Sequence, residues 1–196
     1  MKKALIGYGG HAREVISQMS NDLICFIDDV FIKENNSKIL PLSKFNPNEY
    51  EVMIAIGDSI IRKNIIKKLP PNTKYFSFIH PSAQLFSKDI KIGEGTFIGA
   101  NCILTTNISI GAHCILNRGN HIGHDTNIND FFSAMPNAVV SGNCNIGNCV
   151  YIGTNSTIKE KINICDNVII GLNSGVVKNI TESGTYIGTP TKKINL

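Results

Sequence analysis

The chain has 196 residues, of which 42% are hydrophobic and 17% charged, and its formal net charge is +4. This composition is typical of a globular protein with enough apolar residues for a core, and the mild charge argues against nucleic-acid binding. The apolar part of the opening "MKKALIGYGG" is too short for a signal peptide, and no later apolar run is long enough to cross a membrane. We therefore expect a cytoplasmic protein of one or two domains.

Residues 1–80 alternate strand-like and helix-like segments, and we treat them as a first domain. Short apolar runs that end in Gly or Asp predict strands, and stretches with apolar residues on one side predict helices. The expected strands are 3–7, 23–28, 51–57 and 74–79, and the expected helices are 12–19 and 60–69. This alternation predicts a small parallel sheet with right-handed crossovers.

The segment "GYGGHA" after the first strand is a loose form of a phosphate-binding loop, with Gly9, Gly10 and His11 at its centre. Glycines there let backbone N–H groups approach a phosphate at a helix start. Asp28 and Asp29 end the second strand, where an acid meets a ribose hydroxyl in dinucleotide folds. NAD is one candidate ligand. Eighty residues are few for a full dinucleotide domain, so we favour a mononucleotide or a nucleotide-sugar. A tight turn without a ligand is the remaining interpretation.

From Ile92 onward, every sixth residue is aliphatic without a change of register. The positions are Ile92, Ile98, Leu104, Ile110, Leu116, Ile122, Ile128, Ala134, Val140, Ile146, Ile152, Ile158, Ile164, Ile170 and Val176. This period predicts a left-handed parallel β-helix of hexapeptide repeats over residues 81–180, a triangular prism with three hexapeptides in each coil. Residues 181–196 would form a C-terminal cap. The predicted fold class is thus an α/β half-Rossmann domain followed by a left-handed β-helix.

Two further positions of the hexapeptide are regular. The residue after the aliphatic position is often Gly, as at Gly93 and Gly123, and we expect it to supply a left-handed corner. The residue two before it is small or β-branched, and Cys102, Cys114 and Cys144 occupy this place. We therefore interpret these cysteines as compact interior residues rather than ligands or disulfide partners.

The segment "NRGNHIGHD" contains two of the five histidines. His124 followed by Asp125 suits a general base whose imidazole is oriented by a carboxylate, provided that the backbone turns there. Asp130 is an alternative orienting acid, and an exposed polar residue without a role is the alternative for His124. A metal site built from His113, His121 and His124 is disfavoured, because the three occupy different points of the hexapeptide.

These features together resemble a known family. The "GYGGHA" loop, "IDD" after the second strand, "HPSA" before the hexapeptides and "VVKNI" with "YIGTP" near the end are similar to the sialic acid O-acetyltransferase-like family. Within it, the chain looks most like bacterial N-acetyltransferases that act on nucleotide-linked 4-amino-4,6-dideoxy sugars, of the bacillosamine and perosamine type.

The resemblance implies roles for particular residues. Nucleotide-binding positions of the family fall on Gly9, Gly10, His11, Asp28, Asp29 and Gly57, and the catalytic pair falls on His124 and Asp125. Contacts with acetyl-CoA fall near Ser133, Thr154 and Leu172, and no metal is implied. The resemblance also implies a homotrimer, with acetyl-CoA between neighbouring prisms.

The leading hypothesis is therefore an acyltransferase that N-acetylates a nucleotide-linked amino sugar with acetyl-CoA, for surface polysaccharide synthesis. The first alternative is O-acetylation of sialic acid or a related sugar acid. The alternative of another class is a non-catalytic solenoid that binds a nucleotide-sugar.

Overall fold

The computed structural model describes residues 1–19, 23–31 and 36–195. The chain divides into two compact units, Met1–Ser77 and Phe78–Leu196.

The first unit is a five-stranded parallel sheet with two helices. The sheet order is β3-β2-β1-β4-β5, so the strand that begins the chain lies at its centre. Alanine, leucine, valine and isoleucine side chains of β1 and β4 are buried on both faces, which is typical of a parallel sheet. The elements are β1 Lys2–Ile6, α1 Gly10–Met19, β2 Ile24–Ile27, β3 Ile39–Pro41, β4 Tyr50–Ile54, α2 Ser59–Ile66 and β5 Lys74–Tyr75.

One expected strand is divided in the structure. Residues 74–79 were predicted to form a single strand of the first domain, but only Lys74–Tyr75 pairs with β4. Phe78–Ile79 forms β6 instead and pairs with Phe97–Ile98 of the second unit. The alternation of apolar residues continues through both pieces, so the hydrophobic pattern alone does not reveal the break.

The second unit is a parallel β-helix. Between residues 91 and 176, each strand pairs with the strand eighteen residues further on, as Ile122 does with Val140, which confirms that three hexapeptides make one coil. The first sheet has the order β22-β19-β16-β13-β10-β7, the second β20-β17-β14-β11-β8, and the third β24-β23-β21-β18-β15-β12-β9-β6. The final pair, β23 and β24, is antiparallel.

The strands of this unit are two to four residues long. They are β6 Phe78–Ile79, β7 Gln84–Leu85, β8 Lys91–Ile92, β9 Phe97–Ile98, β10 Ile103–Leu104, β11 Ser109–Ile110, β12 Ile115–Leu116, β13 His121–Ile122, β14 Asn127–Ile128, β15 Ser133–Ala134, β16 Val139–Val140, β17 Asn145–Ile146, β18 Tyr151–Ile152, β19 Thr157–Ile158, β20 Asn163–Ile164, β21 Val168–Ile170, β22 Gly175–Val176, β23 Gly184–Ile187 and β24 Lys192–Ile194.

The interior of the prism is filled by the residues that the six-residue period selects. The aliphatic positions from Ile98 to Val176 are all at most 3% exposed, and Cys102, Cys114 and Cys144 are fully buried beside them. Phe132 occupies a position that is otherwise mostly small or β-branched, and its neighbour Ala134 is the smallest of the aliphatic set. Both are fully buried, so the large and small side chains compensate in volume within one layer.

The left-handed corner residue lies elsewhere than the sequence suggested. Positive φ angles occur three residues after the aliphatic position, as at Asn107 (φ 51°), Asp125 (φ 57°) and Asn143 (φ 58°), whereas Gly93 and Gly123 have no positive φ. A Cβ at Gly93 would lie 2.5 Å from the backbone nitrogen of Ala112, in the next coil. Glycine is required there by close packing between coils, and not by backbone handedness.

Candidate active site

A cavity of about 520 Å³ opens at the carboxyl ends of the parallel strands in the first unit. This is the edge at which open α/β sheets bind their ligands. Gly9, Gly10, His11, Asp28 and Gly57 all line it, so five of the six residues proposed for nucleotide binding share one concave surface. A Cβ at Gly9, Gly10 or Gly57 would meet no atom within 4 Å, so open space lies directly in front of the backbone.

The sixth residue, Asp29, is not part of the cavity lining. Its carboxylate accepts hydrogen bonds from the backbone N–H of Ser43 at 3.2 Å and from the Ser43 hydroxyl at 2.6 Å. The Ser43 hydroxyl, followed by its N–H, lowers the pKa of Asp29. Asp29 thus fastens the short turn Leu42–Lys44, while Asp28 at the cavity mouth pairs with Lys68 at 3.7 Å.

Arg62 holds two residues that line this cavity, Ile56 and Gly57. Its side chain is 1% exposed, and its Nη1 donates to the carbonyl oxygens of Ile56 at 2.7 Å and Gly57 at 2.9 Å. Asp58 begins α2 by accepting a hydrogen bond from the Ile61 N–H at 2.8 Å. The loop between β4 and α2 is therefore held at both ends.

His11 is buried beside the same loop. Burial, and then the positive charge of Arg62, lower the pKa of His11 from 6.5 to about 4. The imidazole is therefore neutral at physiological pH.

In the prism, His124 and Asp125 form a close pair at the corner between the first and second sheets. Nδ1 of His124 lies 2.7 Å from Oδ2 of Asp125. Adjacent side chains on a strand point to opposite faces, but the left-handed φ of Asp125 turns the chain so that both side chains meet. The backbone turn on which this pair depends is therefore present. Both side chains are accessible, at 56% for His124 and 44% for Asp125.

Two neighbours fix this corner. Nδ2 of Asn107, one coil below, donates to Oδ1 of Asp125 at 2.7 Å. That bond, followed by the bond to His124, lowers the pKa of Asp125, so the carboxylate is ionised at neutral pH. One coil above, a Cβ on Gly142 would lie 2.7 Å from Nε2 of His124, so the imidazole packs over this glycine. The alternative acid, Asp130, accepts from the Ala112 N–H at 2.8 Å, at a different corner.

The three residues expected to contact the coenzyme lie on other parts of the prism. Thr154 and Leu172 stack one coil apart at the corner between the third and first sheets, where Leu172 is 69% exposed. Ser133 belongs to β15 of the third sheet and is fully buried. A single chain therefore does not gather His124, Ser133, Thr154 and Leu172 around one point.

The histidines of the disfavoured metal site are also separated. His113 is 5% exposed and its ring stacks on Phe131 with centroids 5.5 Å apart, whereas His121 is exposed on the first sheet. Within residues 1–19, 23–31 and 36–195, no group of three His, Cys, Asp or Glu side chains is arranged to hold a metal ion. The helices in those same ranges are all too short or too polar to cross a membrane.

Sequence reasoning missed several residues that the structure brings to these sites. Ile61, Ile65 and Lys68 line the cavity, and their spacing of four and three residues on α2 and its end is the signal that places them on one side. Asn107 stands eighteen residues before Asp125, so the coil length itself predicts that the two stack.

The chain is similar in sequence to several known proteins. A family model described as the PglD N-terminal domain matches residues 2–69. The GDP-perosamine N-acetyltransferase of Escherichia coli O157:H7 is 25% identical over 173 residues, which are 81% of this chain and 78% of that protein. The UDP-N-acetylbacillosamine N-acetyltransferase of Bacillus subtilis is 32% identical over 111 residues, half of each chain. The chain is similar in sequence to both of these N-acetyltransferases.

A solved structure supports the same relationship at the level of the fold. A variant of perosamine N-acetyltransferase from Caulobacter crescentus, in complex with CoA and GDP-perosamine, superposes with a TM-score of 0.89 at 22% identity. The match covers 100% of this chain and 97% of that one. These relatives confirm the predicted resemblance, the fold of a half-Rossmann domain with a left-handed β-helix, and acyltransferase as the class of enzyme. The coenzyme in the solved relative agrees with the predicted co-substrate.

Proposed function

We propose that the protein transfers the acetyl group of acetyl-CoA to the amino group of a nucleotide-linked 4-amino-4,6-dideoxy sugar. The relatives named for GDP-perosamine and for UDP-N-acetylbacillosamine support this class of acceptor. The reaction would take place in the cytoplasm, upstream of surface polysaccharide assembly.

His124 would act as the general base. The acceptor nitrogen attacks the thioester carbonyl, and its proton passes to Nε2 of His124 as the carbon–nitrogen bond forms. Nδ1 of His124 faces the ionised carboxylate of Asp125, which holds Nε2 free of a proton in the resting enzyme and stabilises the imidazolium afterwards. The tetrahedral intermediate then expels the thiolate of coenzyme A, which takes the proton from His124.

The cavity of the first unit would hold the nucleotide. Backbone N–H groups at Gly9 and Gly10 lie at the start of α1, where an anionic diphosphate is favoured. Asp28 and Gly57 line the same cavity, with apolar walls from Ile61 and other side chains. We assign nucleotide binding to residues 1–80, acetyl transfer to residues 81–180 and a capping role to residues 181–196.

A homotrimer would complete the transfer site. His124 lies at the corner between the first and second sheets, whereas Thr154 and Leu172 lie at the corner between the third and first sheets. The base of one prism meets the coenzyme-contacting corner of another only if two copies pack side by side. Under three-fold symmetry each prism would supply both corners once, and three equivalent sites would form.

The observation that carries this proposal is the exposed His124–Asp125 pair at a corner of a hexapeptide prism. The test is acetyl transfer from acetyl-CoA to GDP- and UDP-linked 4-amino sugars, with the matching 4-hydroxy sugars and sialic acid as competing acceptors. For His124→Ala we expect kcat to fall by about 10³-fold while the affinity for coenzyme A is retained.

The other outcomes separate the alternatives. Acetylation of sialic acid without acetylation of amino sugars would establish the O-acetyltransferase. Binding of nucleotide-sugars by both forms without turnover of any acceptor would indicate a non-catalytic solenoid.

A further inference from the structure

A column of polar side chains runs along the corner that bears His124. Residues 89, 107 and 125 stand eighteen apart and occupy the same place in successive coils. Nδ2 of Asn107 donates to Oδ1 of Asp125 at 2.7 Å, and Oδ2 of the same carboxylate faces Nδ1 of His124 at 2.7 Å. We propose that Asn107 is a positioning residue, which orients His124 through Asp125; this inference rests on the function proposed above.

Asn107 is itself held rigidly. Its backbone N–H donates to Oδ1 of Asp89 at 2.9 Å, and Thr106 donates its hydroxyl to Oδ2 of Asp89 at 3.2 Å. Its φ of 51° lies in the left-handed region, which asparagine tolerates better than most residues. A side chain with a fixed backbone and a short stem loses little entropy when it holds a neighbouring carboxylate.

The geometry explains why Asp125 needs this support. The Asp125 side chain is 44% exposed, so water competes for both of its oxygens. A carboxylate that is free to rotate points at the imidazole for only part of the time. With Oδ1 taken by Asn107, the carboxylate plane is fixed and Oδ2 remains directed at His124, which in turn fixes the tautomer of the ring.

The charges around Asp125 act in the same direction. The Asn107 amide and His124 lower the pKa of this carboxyl, while the Asp89 carboxylate, two coils below, opposes them. Asn107 therefore separates two like charges and favours the ionised form of the upper one. Aspartate at position 107 would keep the shape of the side chain and reverse this effect.

A second column with the same composition provides a control. Asp130, Asn148 and Asp166 are also eighteen residues apart, and Nδ2 of Asn148 donates to Oδ2 of Asp166 at 3.1 Å. His124 precedes Asp125, whereas the residue that precedes Asp166 is Cys165. The contact between amide and carboxylate thus occurs in both columns, and of these two only the column of Asn107 leads to a carboxylate that faces a histidine.

The experiment compares Asn107→Asp and Asn107→Gly with Asn148→Asp in the full-length protein. Asn107→Gly removes the side-chain amide, and glycine adopts the positive φ at this position without strain. Asn107→Asp and Asn148→Asp each place a second carboxylate beside an existing one, so the two columns undergo the same change of charge. We expect kcat to fall by about tenfold or more in both Asn107 variants, with the KM of both substrates changed less than about threefold. Asn148→Asp should leave kcat unchanged.

A direct titration distinguishes failure of this inference from failure of the proposed function. The carboxyl carbon of Asp125, followed by NMR, should show a higher pKa in Asn107→Gly than in the wild type, whatever the acceptor. An unchanged Asp125 pKa, or a kcat within about twofold of wild type in both Asn107 variants, overturns the inference. An absence of transfer in the wild type with the expected pKa change counts against the function alone.

Discussion

The two units differ in how far they bury the ionisable groups of their candidate sites. In the first unit, the His11 side chain is 10% exposed and Arg62 is 1% exposed, and both lie against the loops that form the cavity. In the prism, His124 is 56% exposed at a corner. Between residues 78 and 195, the prism interior is filled from coil to coil by aliphatic side chains, and its one strongly buried histidine, His113, stacks on Phe131.

This difference separates two ways of making a site. A concave cavity sets the protonation state of its groups by burial, within one unit. At a corner of the prism, the protonation state and orientation of a side chain depend on hydrogen bonds to residues of the neighbouring coils at the same corner. The rest of its environment comes from whatever molecule packs against that corner. We therefore expect changes in the first unit to act on binding and on pH-dependent stability, and changes at the corner to act on turnover.

The largest effect on stability should come from the buried imidazole. The pKa of His11 is about 4 in the folded protein, against 6.5 when it is unperturbed. Between these values the unfolded chain binds a proton that the folded chain does not, so the folded state loses stability as the pH falls through 6.5 towards 4. The loss should be about 2 kcal/mol between pH 7.5 and 5.

Urea unfolding followed by circular dichroism at 222 nm measures this loss, because α1 and α2 both belong to the first unit. His11→Gln should abolish that part of the pH dependence, whereas His121→Gln, at an exposed position, should retain it. A pH dependence that His11→Gln leaves intact would show that burial of this imidazole does not couple to folding.

The sharpest test of the corner is Gly142→Ala. A Cβ at residue 142 would lie 2.7 Å from Nε2 and 3.0 Å from Cδ2 of His124, so the ring has to move. Because the displaced atoms are the end of an exposed side chain, folding should be little affected. We expect kcat to fall by about tenfold, because even a small displacement of the imidazole moves Nε2 out of line with the proton that it accepts.

Gly175→Ala is the matched control. Its Cβ would lie 2.8 Å from Cγ2 of Thr189, so it also displaces a side chain, at the other end of the prism. Equal losses of kcat in the two variants would mean that general distortion of the coils, and not the position of His124, limits turnover.

The six-residue period predicted much of the prism correctly and one part of it wrongly. Interior residues follow from the period because only aliphatic side chains fill the closed coil. The left-handed residue did not follow, because Gly and Asn occur at two corner positions and both types tolerate positive φ. Asn107 and Asn143 at the true corner carry the signal, while Gly123 is glycine for lack of space.

The site residues also differ in how well the sequence predicts their contacts. The role of Asp125 was predicted only on the condition that the backbone turns there. Its side chain contacts that of His124 because of one backbone angle, which the sequence does not reveal. Asp28 and Asp29 are chemically identical in sequence, and only the position of Ser43 shows that Asp29 is used within the fold. Contacts set by the coil repeat are predictable in principle, whereas contacts set by loops of the first unit depend on tertiary packing.

An effect on binding alone is predicted at the wall of the cavity, where two neighbouring isoleucines of α2 allow a matched comparison. Ile60 and Ile61 are 45% and 50% exposed, but only Ile61 lines the cavity. Ile61→Glu places a carboxylate where a nucleotide diphosphate would lie, so the Kd for nucleotide-sugar should rise by about tenfold with kcat unchanged.

Ile60→Glu adds the same charge to the same helix outside the cavity, and its Kd should stay near that of the wild type. Calorimetric titration with GDP and UDP measures both values. If the two variants bind the nucleotides equally, the ligand lies outside this cavity. Nucleotide binding could then no longer be assigned to the first unit in contrast to the prism.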